Sequence, residues 1–128
     1  MRVKTLVAAG MIALALSGAC ASADDDASPN TKSFLEAYAG ADDVGKILGE
    51  SYVIGITNGI AVSNMVLKNR KQELIFCQPE DASLDVKQVI LAIAMSVDKT
   101  PKLGTLPLPV AVAAELEAMW PCKAEQSL

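Results

Sequence analysis

The chain has 128 residues, 52% of them hydrophobic, with a formal net charge of −4 and no histidine. That length bounds it to one domain. The acidic balance argues against a nucleic-acid or anionic-membrane partner. The missing imidazole removes Ser-His and Cys-His nucleophile pairs and most zinc sites.

Residues 1–23 read as a secretory signal peptide. Arg2 and Lys4 form a positive start and Leu6 to Leu16 an apolar run. That run is too short for a bilayer core of roughly 30 Å. Ala21-Ser22-Ala23 is a small-residue cleavage site, which makes Asp24 the expected new N-terminus. Cys20 offers a second reading, a lipoprotein acylated there, but Ser17 stands where a lipobox usually carries Leu. Cleavage after Ala23 removes two cations and no acids, so the mature chain is more acidic still. The expected location is the bacterial periplasm.

Residues 24–32 form an Asp-rich leader expected to be disordered. The helical domain is expected over residues 33–123, with 124–128 as a tail. Ser33 is the expected N-cap of the first helix, with Glu36 completing a capping box. Phe34, Leu35 and Tyr38 give that helix an apolar side, and Gly40 ends it.

A long helix is expected from about Asp42 to Lys68. Val44, Ile47, Leu48, Tyr52, Ile56, Val62, Met65 and Val66 recur along it at helical spacing. It also contains Gly45, Gly49, Gly55 and Gly59. Each interior glycine costs about 0.5–1 kcal/mol relative to alanine. The expected reason for them is close packing of another helix of the domain against a flat face, the Ala-rich last helix being the natural partner. A transmembrane pairing on Gly55 and Gly59 is rejected, because Thr57, Asn58, Ser63 and Asn64 interrupt the apolar run. Lys68, Arg70 and Lys71 suit a helix C-terminus.

Glu73 to Cys77 reads as a short extended approach. Ser83 is the expected N-cap of the next helix, whose stripe is Val86, Val89, Ile90, Ile93, Ala94 and Val97. Asp98 to Pro109 reads as a loop with four breakers, Pro101, Gly104, Pro107 and Pro109. The last helix is expected to start at Pro107 or shortly after. Val110, Ala113, Ala114, Leu116 and Trp120 are its expected lining, and Pro121 stops it. The predicted fold class is therefore all-α, a small compact bundle of about four helices.

Cleavage would remove Cys20 and leave Cys77 and Cys122, an even pair in an oxidising compartment. Their expected state is one structural disulfide, since neither lies in a Cys-x-x-Cys motif. No motif implies a cofactor or a metal. Glu115 and Glu117 are two apart and cannot share a helix face, and Ser63 and Lys68 lack support for a Ser-Lys site. The expectation is a protein that is not an enzyme and has no catalytic residues.

The sequence resembles the Rap/Tai type of type VI secretion immunity protein. The matching features are the signal peptide, Tyr52-Val53-Ile54-Gly55-Ile56 on the long helix, and Phe76-Cys77-Gln78-Pro79. A helix after Ser83, a loop containing Pro101 and the closing Trp120-Pro121-Cys122 complete the match, which covers most of residues 35–122. Members often carry further cysteines at the start of the long helix, and Val44 to Ser51 contains none. The resemblance implies an all-helical periplasmic protein that occludes the cleft of a peptidoglycan amidase effector, often as a homodimer. It makes the loop between the last two helices the expected contact surface, with Asp98, Lys99, Thr100, Lys102 and Leu103 as its residues. A second reading is a small periplasmic stress or holdase-type protein with no effector partner.

Overall fold

The structure, a computed structural model, describes residues 29–123. The expected signal peptide with Cys20, residues 24–28 of the expected leader and the expected 124–128 tail lie outside the described residues. The described chain is all-α. Its elements are α1 (Thr31–Gly40), α2 (Asp43–Asn69), α3 (Val86–Lys99), a 3₁₀ turn η1 (Pro101–Thr105) and α4 (Leu108–Met119).

The caps fall at residues whose side chains can reach an unpaired amide. Asn30, not Ser33, caps α1: its Oδ1 accepts from the Ser33 amide at 2.8 Å. Thr31 and Lys32, placed in the leader by sequence, therefore open the helix. Asp42 caps α2 through its carboxylate, which accepts from the Gly45 amide at 2.8 Å. Asp85, not Ser83, caps α3, accepting from the Lys87 amide at 2.9 Å. In each case a side-chain acceptor replaces a missing turn of backbone bonds. Pro107 stands at the N-cap of α4 with no side-chain bond, and Trp120 closes it by donating its amide to the Leu116 carbonyl at 3.0 Å.

The core is built from one edge of each helix. Its buried members are Phe34 on α1, Val53 on α2, Val89, Ile90 and Ile93 on α3, and Leu108, Ala111, Val112 and Leu116 on α4, with Phe76 from the α2–α3 connection. The α3 stripe is as predicted. The α4 lining is rotated: Leu108, Ala111 and Val112 point inward, while Val110 is 48% exposed and Ala114 faces solvent. The three-proline entry sets that phase, because α4 starts only at Leu108 and Leu108 itself is fully buried.

The predicted lining of α2 is the largest correction. Of the eight apolar residues read as its periodic stripe, only Ile56 packs against the core. Val44, Ile47, Leu48, Tyr52, Val62, Met65 and Val66 are exposed, with Val44, Leu48 and Met65 each at 65%. The face that packs inward carries Val53, Thr57, Ile60 and Ala61 instead. α2 is apolar on two sides, so periodicity alone could not say which one met the bundle.

The expected reason for the glycines holds at one position and fails at two. A Cβ at Gly49 would sit 2.9 Å from the Tyr38 ring, so the ring's seat needs glycine. At Gly55 and Gly59 a Cβ would meet nothing within 4 Å. α4 does pack on α2, but not over those two residues. Both lie on the exposed side of α2, which runs through them as one uninterrupted helix.

One end of the bundle is held by three kinds of bond. Cys77 and Cys122 form a disulfide across a sequence separation of 45. Beside it the Cys77 amide donates to the Trp120 carbonyl at 2.8 Å, and the Phe76 and Trp120 rings lie 6.1 Å apart. Asn64 of α2 completes the joint: its Nδ2 donates to the Phe76 carbonyl at 2.7 Å and its Oδ1 accepts from the Ile75 amide at 2.8 Å. A strand edge would have satisfied these backbone groups; here one amide side chain does so. The disulfide thus ties the α2–α3 connection to the segment that follows α4.

Candidate functional site

The predicted contact residues gather at one end of the bundle, but not in an irregular loop. Asp98 and Lys99 are the last residues of α3, Thr100 follows as its C-cap, and Lys102 and Leu103 belong to η1. The reversal is closed by backbone bonds from the Thr100 amide to the Ser96 carbonyl (2.9 Å), Leu103 to Thr100 (2.9 Å) and Leu106 to Leu103 (3.2 Å). Asp98, Lys99, Thr100 and Lys102 are exposed, and Leu103 is half-buried.

The turn is moored to α1. The Thr31 amide and hydroxyl both donate to the Leu106 carbonyl, at 2.9 and 2.8 Å. Gly104 is buried under α1, where a Cβ would lie 3.1 Å from that of Lys32. An isolated bridge pairs Asn30 with Pro107. The exposed side chains of η1 therefore stand on a backbone held from both directions.

Next to η1 lies a groove of about 800 Å³, lined by Leu35, Tyr38, Ile90, Leu91, Val97 and Pro101 among others. A second concavity, of about 930 Å³, lies at the disulfide end beside Met65, Phe76 and Trp120.

The polar contacts along the bundle read as structural. The Tyr38 hydroxyl donates to Glu50 Oε1 at 2.9 Å, and Lys87 Nζ stands 4.0 Å from the same oxygen. Burial, then the hydrogen bond to Glu50 and its negative charge, holds the Tyr38 phenol above its ordinary value of 10.0. Each of these disfavours the phenolate. The folded state thus keeps the proton that the unfolded chain releases, so this contribution to stability is full below pH 10.0 and lost as pH rises through the folded value. An alkaline absorbance titration is expected to show a late tyrosinate component that Tyr38→Phe removes. If Tyr38→Phe leaves the high-pH limb unchanged, the contact with Glu50 is absent in solution.

Ser96 donates to Glu115 Oε2 at 2.9 Å, linking α3 to α4, while Glu117 is exposed and apart from it. Among the described residues no group of three or more His, Cys, Asp or Glu could hold a metal ion, and no helix is long and apolar enough to cross a membrane.

The exposed face of α2 was not singled out from the sequence as a surface. The available signal was positional: at about 100° per residue, Val44, Leu48, Gly55, Gly59, Val62 and Val66 fall on one side of the helix. No family model matches the chain, and neither a curated protein nor a solved structure matches it.

Proposed function

We propose that this chain is a periplasmic immunity protein that binds and blocks a peptidoglycan amidase effector of type VI secretion. The observation that carries this reading is the η1 turn. It presents Asp98, Lys99, Thr100 and Lys102 on a backbone fixed by the Leu106–Thr31 bonds and the seat of Gly104. A blocker that inserts a turn into a cleft gains affinity when the turn loses no freedom on binding. A short proline-containing turn between two packed helices meets that requirement. The motif resemblance at Phe76–Pro79 and Trp120–Cys122 supports the same reading, and those residues build the stapled end of the bundle.

In this reading Lys99 and Lys102 meet the acidic or polar rim of the amidase cleft, and Pro101 and Leu103 supply apolar contact. Co-expression in the periplasm with an amidase encoded beside it is expected to rescue cells from lysis. The double substitution Lys99→Glu and Lys102→Glu is expected to abolish rescue while leaving the helical circular-dichroism spectrum intact. Absence of rescue and of a complex with every amidase encoded in the same genome would overturn the proposal.

A further inference from the structure

The groove between α1 and α3 has an apolar floor and an uneven distribution of charge. The two helices run antiparallel. Thr31 is moored to Leu106 beyond the end of α3, while Tyr38 and Lys87, near the end of α1 and the start of α3, both reach Glu50. The furrow between them measures about 800 Å³, within the range of small-molecule sites. Its floor is Leu35, Ile90, Leu91, Ala94 and Val97. Leu91 is 61% exposed there, beside the core residue Ile90. Both walls are α-helices, whose interior backbone groups are paired within the helix. The floor therefore offers no hydrogen-bonding edge to a sugar, a base or an extended peptide.

The cations gather at one end. Lys46 and Lys87 line the groove beside Tyr38. The acid nearest to them, Glu50, accepts the Tyr38 hydroxyl at 2.9 Å and lies 4.0 Å from Lys87 Nζ. Lys46 is half-buried and makes no ion pair among the described residues. Asp42 and Asp85 are engaged as helix caps, and neither they nor Asp43 line the groove. Of its two lining carboxylates, Glu36 is paired with Lys32 at 3.8 Å and Asp98 stands at the far end of α3. Two lysines against Glu50 leave the near end with an excess of positive charge, on a chain whose net charge is −4.

We infer that this groove binds a free single-chain amphiphile with an anionic head, the head between Lys46 and Lys87 and the acyl chain laid along α3 to Val97. From Lys87 to Val97 the helix rises about 15 Å. An extended chain of about twelve carbons covers that length, at bond lengths of about 1.5 Å. A partner helix of the same length, about 10 Å across, would fill roughly 1,200 Å³, more than the groove holds. The excess charge gives the ligand its direction, since a carboxylate head is attracted to the lysine end and repelled by Asp98 at the other. The site does not depend on the effector reading: Lys99 and Lys102, which carry the test of that reading, do not line the groove.

Calorimetric titration of the purified protein with alkyl carboxylates tests the inference without an amidase. Dodecanoate is expected to bind one to one. The groove is open on one side and covers about half of each methylene, so affinity is expected to rise about fourfold for every two methylenes from octanoate to dodecanoate. Tetradecanoate, whose end passes Val97, is expected to gain less than about twofold more. Dodecyltrimethylammonium, with the same chain and the opposite head, is expected to bind at least about 10-fold more weakly than dodecanoate. The double variant Lys46→Gln and Lys87→Gln closes that gap, and Leu91→Glu weakens dodecanoate at least about 10-fold. Circular dichroism and an intact Cys77–Cys122 bridge show that the variants still fold. No saturable binding of dodecanoate at about 1 mM would overturn the inference. So would a cation that binds as well as the carboxylate, or an affinity indifferent to Leu91→Glu. Phosphatidylglycerol vesicles are expected not to sediment the protein; sedimentation that Leu91→Glu abolishes would assign the groove to a bilayer instead. An amidase complex lost in Leu91→Glu, with no dodecanoate bound by the wild type, would assign it to the amidase.

Discussion

Replacing both bridge cysteines with alanine is expected to lower the unfolding free energy by about 4 kcal/mol, read as a shift in the urea midpoint. The bridge spans a sequence separation of 45. Closing a loop of that size removes about 4 kcal/mol of chain entropy from the unfolded state at 25 °C. Domains of this size carry about 5–15 kcal/mol in total, so the reduced form is expected to be close to the threshold of folding. The same variant tests what else holds that end. Asn64 binds the Ile75 amide and the Phe76 carbonyl, and the Cys77 amide binds Trp120, without help from sulfur. A loss below about 1 kcal/mol would mean that these bonds keep the joint closed in both states.

Ile93→Ala is expected to cost about 2–5 kcal/mol, the range for deleting a buried aliphatic side chain that leaves a cavity. Ile93 is 1% exposed and lies in the middle of α3, facing the cluster that α1, α2 and α4 complete. Leu48→Ala makes the control. Leu48 is an equally large side chain on a longer helix, yet it is 65% exposed. In dilute protein its loss is expected to change stability by no more than about 0.5 kcal/mol. Its effect should grow with concentration if a second copy covers it, because association stabilises the folded state by mass action. A large and concentration-independent cost at Leu48 would contradict the exposure of α2's outer side.

The helices, the disulfide and the α3 stripe were legible in the sequence because each rests on a local signal. Val86, Val89, Ile90 and Ile93 recur at helical spacing on one side of α3, which fixes the side that faces the core. Cys77 and Cys122, the pair expected once Cys20 is set aside, have one candidate partner each. The orientation of α2 was not legible, because both of its sides are apolar and only the rest of the bundle selects Val53 and Thr57. Ser33 and Ser83 met the residue preference for a cap, but Asn30 and Asp85 hold the geometry. Which short polar residue caps a helix depends on where the chain enters it, and that is set by the Asn30–Pro107 bridge for α1. The predicted contact residues were read as one irregular loop, whereas Asp98 and Lys99 end α3 and Lys102 and Leu103 sit in a 3₁₀ turn. Its mooring to Thr31 spans a separation of 75 residues, beyond any local pattern. Asn64 looked like an interruption of an apolar run; its two bonds to the α2–α3 connection exist only once that segment folds back.

The placement of the aromatic rings gives the molecule two independent optical reporters. Trp120, the single tryptophan, lies tilted against Phe76 at the bridged end. Phe34 lies 6.0 Å from Tyr38 and 6.3 Å from Tyr52 at the junction of α1 with α2. Indole emission therefore reports one pole of the bundle, and tyrosine absorbance reports the other. If the domain melts as a unit, the two signals trace one curve against urea. If the bridge keeps its own pole folded after α1 has detached, the tyrosine curve moves first and the indole curve follows.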